Sequence, residues 1–160
     1  MLSEREGILS VTISVEAPRQ DGVIRLLELS DAYAQSLYPP ESNHLLDLTS
    51  LEKPSVTFFV ARNGSSIVGC CALVEAGDGT AEIKRMFVDT DARGLKVASR
   101  LMDALEDQAK QKGLSALRLE TGIRQPEAIS LYRKFGYAEI DPFGEYEPDP
   151  LSLFMEKRLA

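Results

Sequence analysis

The sequence predicts an α/β domain with a mixed sheet, in which helices flank a set of mostly antiparallel strands. Two observations support this fold class. Short apolar or alternating segments are separated by turns rich in glycine, asparagine and aspartate, as hairpin-connected strands are. In addition, one strand, one amphipathic helix and another strand follow each other, and such a unit most simply returns parallel through a right-handed crossover.

The N-terminal half predicts one strand, one long helix and then three strands joined by tight turns. Residues 9–16 alternate apolar and polar side chains, as a half-buried strand does. Asp21 is placed to cap a helix that runs to Leu37, where Tyr38 and two prolines end it. A short apolar cluster surrounds His44. The three later strands are predicted over 56–61, 67–75 and 81–88.

The stretch 87–113 carries the strongest functional signal. Val97, Leu101 and Leu105 recur every four residues on one helical face, and Gly113 ends the helix. Where the strand turns into this helix, at residues 93–98, the first backbone amides have no intrahelical partner. Together with the helix dipole they favour a bound anion such as a phosphate. The pattern therefore predicts an anion site at this helix N-terminus.

The C-terminal part predicts a strand, a helix and two closing strands. The helix begins at Pro126 and ends at Gly136, with Tyr132 on its apolar face. The strands are predicted over 116–121, 137–140 and 151–157, with a loop over 141–150. Because the sequence has no repeat, low-complexity segment or linker, we expect a single domain over 1–160.

Composition narrows the function classes. The net charge of −7 over 160 residues argues against a nucleic-acid or acidic-membrane partner. No apolar run approaches the roughly 20 residues of a membrane span, and the N-terminus lacks the apolar core of a secretory signal, so a cytoplasmic location is expected. Cys70 and Cys71 are adjacent and would point to opposite faces of a strand, which disfavours a disulfide between them. No Cys/His spacing suggests a metal site.

Two segments resemble the motifs of the GNAT superfamily of acetyl-CoA-dependent N-acetyltransferases. Val88, followed by Arg93-Gly94 and a helix, resembles the family loop that binds the coenzyme A pyrophosphate. Asp91 stands where Gln or Arg is usual, and Lys96 stands where Gly or Ala is usual. Segment 125–137 resembles a second family motif, with Gln in place of its usual Asn. The order of predicted elements is also the order of that family.

The resemblance implies a central sheet whose two parallel strands splay apart to admit the pantetheine arm of acetyl-CoA. It implies acetyl-CoA as cosubstrate and no metal. A backbone amide near Phe87 or Val88 would stabilise the oxyanion of acyl transfer. The cofactor-binding residues that it implies are Met86, Phe87, Val88, Arg93, Gly94, Leu95, Lys96, Val97, Ala98, Ser99, Gln125 and Tyr132.

For catalysis the resemblance places the phenol of Tyr132 near the thioester sulfur, as general acid; from periodicity alone it would be a core aromatic. Glu82 is the candidate general base, and period-two alternation puts Glu82, Lys84 and Met86 on one face of the strand. Glu120 and a water relay are the competing bases, and His44 is an outside candidate because its pKa suits the task.

The acceptor side is predicted from charge and from a further resemblance. Lys84, Arg85 and Arg124 would place positive charge at the cleft mouth and favour a carboxylate-bearing amine; the alternative is that they are solvated or ion-paired. Segments 38–47 and 142–146 resemble those of a bacterial branch of the family that includes YsnE-like proteins. The candidate substrate-binding residues are His44, Lys84, Arg85, Arg124, Phe143 and Tyr146.

The predicted function is transfer of an acetyl group from acetyl-CoA to a primary amine of a small molecule or peptide, by direct attack in a ternary complex. The alternative is a non-catalytic acetyl-CoA or CoA sensor, or a degenerate partner subunit, which Asp91 and Lys96 favour. Tyr132 and the two glutamates argue for the enzyme. A homodimer is left open.

Overall fold

A computed structural model describes residues 11–43, 45–92 and 94–159, and the predicted element order is present in that part of the chain. The helices are α1 (Asp21–Leu37), α2 (Leu48–Leu51), α3 (Val97–Gln111) and α4 (Pro126–Lys134), with single 3-10 turns at Pro40–Ser42 and Thr90–Ala92. The strands are β1 (Val11–Val15), β2 (Val56–Asn63), β3 (Ser66–Glu75), β4 (Thr80–Val88), β5 (Ala116–Gly122), β6 (Ala138–Ile140) and β7 (Ser152–Arg158). Positions 9 and 10 of the first predicted strand lie outside the described residues.

The described strands form a seven-stranded sheet in the order β1-β2-β3-β4-β5-β7-β6. Its only parallel neighbours in the described part are β4 and β5, which confirms the predicted crossover through α3. Pairing between them runs from Thr80 opposite Ala116 to Ile83 opposite Leu119 and stops there, although both strands continue. The predicted splay is thus confirmed, and a gap opens between the C-terminal ends of β4 and β5.

A bulge in β4 changes which residues share a face. Lys84 pairs with Ala72 and Phe87 pairs with Cys70, so two residues of β4 oppose one residue of β3, and Arg85 has a φ of 57°. Because the extra residue reverses the alternation, Met86 packs against the core on the opposite face from Glu82 and Lys84. The prediction that Met86 shares their face was therefore wrong.

Two apolar cores lie on the two faces of the sheet. One is covered by α3 and α4, with fully buried Leu101 and Leu105 of α3 over the strands. The other is covered by α1, whose Leu26 packs over β2 and β3. Cys71 belongs to the first core and Cys70 to the second, and both thiols are free.

The helix ends follow the sequence signals with one exception. Gly113 and Gly136 adopt positive φ of 74° and 96° just beyond α3 and α4, as helix-stop glycines do. At the start of α1, however, Asp21 is already the first helical residue, and Gln20 is the N-cap without a side-chain capping bond. The predicted cap was one residue off. None of the described helices is both long and apolar enough to span a bilayer.

Candidate active site

A cavity of about 750 Å³ opens where β4 and β5 diverge. It runs from the N-terminus of α3, past the strand ends, to α1 and the segment that follows α1. The predicted site residues that line it are Glu82, Lys84, Arg85, Met86, Phe87, Val88, Ala98, Glu120, Gln125 and Tyr132. His44 and Arg93 lie outside the described residues. The structure therefore brings the candidate acid, both candidate glutamates and the anion site to one cleft.

The anion site is formed by a loop with two left-handed residues. Gly94 has a φ of 88°, and Lys96, the N-cap of α3, has φ 57° and ψ 34°. A side chain at a left-handed position costs about 1–2 kcal/mol, which gives a reason for glycine at the second position in the usual motif. The loop turns so that the first amides of α3, at Val97, Ala98 and Ser99, begin the helix beside the cleft. This cradle fits a pyrophosphate group.

Asp89 holds the loop and was missed by sequence reasoning. Its carboxylate accepts hydrogen bonds from the Asp91 amide at 3.1 Å and from the Arg25 guanidinium at 2.5 Å. The hydrogen bond from Arg25 and then that from Asp91 keep the pKa of Asp89 below its usual value. The only sequence signal is an aspartate directly after a strand, a position typical of a turn.

Tyr132 projects from α4 into the same cleft and is 6% exposed. Its ring meets that of Tyr137 edge-on, with centroids 6.0 Å apart. Burial raises the pKa of its phenol above the usual value, so the group carries its proton at neutral pH. A protonated phenol at this place is able to donate a proton.

Glu82 stands at the centre of a three-residue hydrogen-bond cluster. Its Oε2 accepts from the Tyr146 hydroxyl at 2.5 Å and from Lys84 Nζ at 3.5 Å, and Lys84 Nζ also donates to the Tyr146 oxygen at 2.8 Å. Burial, followed by the bond to Glu82, raises the pKa of Tyr146. The Tyr146 ring packs against Phe143 and Phe154, with centroids 5.2 and 5.3 Å away. The loop between β6 and β7 thus reaches Glu82 and Lys84 through Tyr146, which is not itself among the residues that line the cavity.

The other charged candidates are engaged by neighbouring groups. Glu120 accepts a hydrogen bond from Ser152 Oγ at 2.7 Å. The Arg85 side chain is 3% exposed and pairs with Asp31 of α1 at 2.7 Å. The Arg124 guanidinium donates to the Leu37 carbonyl. The Arg85 contact agrees with the ion-paired alternative, whereas Arg124 is held by a backbone carbonyl of α1.

Tyr38, predicted to end the first helix and to open the acceptor-side segment 38–47, lines the cleft. Its hydroxyl accepts a hydrogen bond from the Arg124 amide at 3.0 Å and donates to Gln125 Oε1 at 3.2 Å. The ring lies against Gly122, the last residue of β5. Tyr38 therefore joins the end of α1 to the start of α4, where the second motif begins.

The family of the chain follows from this geometry and from its relatives. The model of the acetyltransferase (GNAT) family matches residues 23–137, and the chain belongs to that family. Among the described residues, no group of three or more His, Cys, Asp or Glu side chains is arranged to hold a metal ion.

Individual relatives extend over most of the chain. It is 54% identical over 151 residues to IAA acetyltransferase of Azospirillum brasilense, covering 94% of this chain and 99% of that protein. It is 37% identical over 123 residues to the uncharacterized N-acetyltransferase YsnE of Bacillus subtilis, covering 76% and 82%. A crystal structure of a candidate acyl-CoA N-acyltransferase from Klebsiella pneumoniae superposes with a TM-score of 0.79 at 37% identity, covering 94% and 98%. PaiA N-acetyltransferase of Thermoplasma acidophilum, solved in complex with coenzyme A, shares the fold with a TM-score of 0.73 at 19% identity over 94% and 99% of the chains.

Proposed function

We propose that residues 1–160 act as one domain that transfers the acetyl group of acetyl-CoA to a primary amine by direct attack in a ternary complex. The observation that supports this most is the cleft between the diverging ends of β4 and β5. It connects a phosphate-type cradle with a carboxylate and a buried phenol, which are the groups that amine acetylation requires.

Acetyl-CoA supplies the acetyl group as a thioester. The N-terminus of α3, at Val97, Ala98 and Ser99, would hold its pyrophosphate through backbone amides, with the left-handed loop before it allowing close approach. The strand end at Phe87 and Val88 would hold the pantetheine arm, because β4 leaves β5 there and both residues line the cleft.

Glu82 is the proposed general base. Both of its described hydrogen bonds, from Tyr146 and Lys84, end on Oε2, so Oε1 is the oxygen that would take a proton from the acceptor amine. Two donors on one oxygen also fix the orientation of the carboxylate. Glu120 is the competing candidate; Ser152 donates to its Oε2.

Tyr132 is the proposed general acid toward the departing sulfur. It is buried in the cleft wall, and its raised pKa keeps it protonated at the pH at which the transfer would run. A positioned acid of this kind contributes a rate factor of roughly 10²–10⁴.

The test is a screen of primary amines with acetyl-CoA that follows thiol release. IAA is tested beside the amines, as a compound outside that class, because a 54% identical relative is named IAA acetyltransferase. We expect turnover with at least one amine, and a Glu82→Gln variant with intact CoA affinity and strongly reduced turnover. Folded protein that binds no CoA at millimolar concentration in calorimetry would overturn the assignment. Saturable CoA binding without any turnover would instead support the sensor function.

A further inference from the structure

The cleft has an exposed apolar wall that no catalytic role explains. Five large apolar side chains are exposed among the described residues: Val15, Leu29, Tyr33, Leu45 and Ile123. Three of them, Leu29, Tyr33 and Leu45, line the cleft and are 42%, 46% and 42% exposed. Leu29 and Tyr33 lie four residues apart on α1 and hence on one face of it. We call these three residues the apolar wall.

Exposed apolar side chains gathered in a cleft are the usual sign of a ligand-binding surface. This wall is continuous with the cavity that holds Glu82 and Tyr132, so a molecule on it would reach the proposed base. That continuity favours a small-molecule acceptor over a second copy of the chain.

The charges around the cleft suit an ammonium group better than a carboxylate. Glu82 and Glu120 both line the cavity. Its cations are engaged within the protein: Lys84 with Glu82 and Tyr146, and Arg85 with Asp31. Glu127 also lines the cavity, so the described lining carries three carboxylates against two cations, and this excess of negative charge favours an ammonium group.

We propose that the apolar wall is the acceptor subsite, and that the preferred acceptor is a primary amine with an apolar, aryl- or alkyl-sized body. The body lies on Leu29, Tyr33 and Leu45, and the amine points toward the glutamates. This inference rests on the proposed function, of which it names the substrate class.

Binding and turnover are measured with a matched pair of amines, phenethylamine and ethylamine, on the CoA-loaded protein by calorimetry and with acetyl-CoA by thiol release. We expect phenethylamine to be preferred by about tenfold or more in both assays, the range that a small apolar group contributes in a pocket. Leu29→Ser and Tyr33→Ala remove this preference and leave CoA affinity unchanged. Val15→Ser, a substitution at a 57% exposed residue outside the lining of the cleft, keeps it.

Equal affinity and equal kcat/KM for the two amines would overturn the subsite. Wall variants that weaken the binding of both amines to the same extent would also overturn it. So would wall variants whose only effect is to dissociate a dimer in sedimentation, because the wall would then be an interface between two copies of the chain. A third outcome separates the two proposals. If phenethylamine binds, the wall variants abolish this binding and no amine is acetylated, the proposed function is refuted and the subsite is supported.

Discussion

Gly122 ends β5 directly against Tyr38, and a methyl group there tests how the cleft is built. A Cβ placed on Gly122 would lie 1.9 Å from the Tyr38 hydroxyl oxygen and 2.2 Å from Cζ. Gly122 is not among the residues with positive φ, so alanine suits its backbone and would otherwise be tolerated. Any loss from Gly122→Ala therefore reports the contact with Tyr38.

The magnitude follows from the displacement. To reach ordinary contact distance the Tyr38 ring must retreat by about 1.5 Å, which breaks its hydrogen bonds with the Arg124 amide and with Gln125. Two such bonds contribute about 0.5 kcal/mol each, and overpacking costs about 1–3 kcal/mol. We expect the free energy of unfolding to fall by about 2–4 kcal/mol and the Tm to fall by roughly 5–15 °C.

The assay is a double-mutant cycle on Tm and denaturant midpoint with Tyr38→Ala. Since Tyr38→Ala removes the atoms that clash, adding Gly122→Ala to it should cost under about 1 kcal/mol, which leaves a coupling of about 1–3 kcal/mol. Turnover should fall in Gly122→Ala as well. Tyr38 contacts Arg124 and Gln125 at the start of α4, and α4 carries Tyr132, so a displaced Tyr38 would also displace the proposed acid. A Tm within about 1 °C of the native protein, or strictly additive effects, would refute this arrangement of Tyr38.

Substitutions at four further positions test the site. Tyr132→Phe should lower kcat by roughly 10²–10⁴ with unchanged CoA affinity and stability; near-native kcat with chemistry rate-limiting would exclude the acid role. Lys96→Gly should raise the free energy of unfolding by up to about 1 kcal/mol in thermal unfolding, because the backbone at this position is left-handed. Lys96→Glu should weaken CoA binding in calorimetry if the Lys96 ammonium lies beside the pyrophosphate. Asp89→Asn should cost about 1 kcal/mol at pH 7. Because folding lowers the pKa of Asp89, its stabilisation is present above the ordinary aspartate pKa and is lost as pH falls through the lower folded value, so the two proteins should converge in unfolding experiments in acid. Tyr146→Phe should lower kcat roughly tenfold without changing CoA affinity, since Glu82 loses the donor that fixes Oε2; an unchanged kcat would contradict that role.

Local patterns predicted most of the fold because they act over a few residues. Period-two alternation and tight turns identified the hairpins, and period-four repeats identified α3. The helical crossover between β4 and β5 predicted that these two strands are parallel. The cleft partners were harder to predict because they are remote in sequence. The Tyr38–Gln125 contact spans 87 residues and the Glu82–Tyr146 contact spans 64. Tyr146 was expected on the acceptor side from resemblance, but its bond to Glu82 was not.

The bulge at Arg85 explains why period-two alternation did not predict which residues of β4 share the face of Glu82. A non-glycine residue with a φ of 57° leaves no sequence signal, and the strain needs compensation elsewhere in the fold. Here the buried guanidinium binds Asp31 on α1, and it is near enough to contact the Leu27 carbonyl. The same residue thus reverses the alternation of β4, which puts Met86 in the opposite core, and ties α1 to the sheet beside the cleft. Because α1 carries Leu29 and Tyr33, this tie also fixes the apolar wall relative to Glu82. Arg85 was predicted to meet substrate charge; because its guanidinium pairs with Asp31, we propose instead that it anchors α1 and the apolar wall to the strand that carries Glu82.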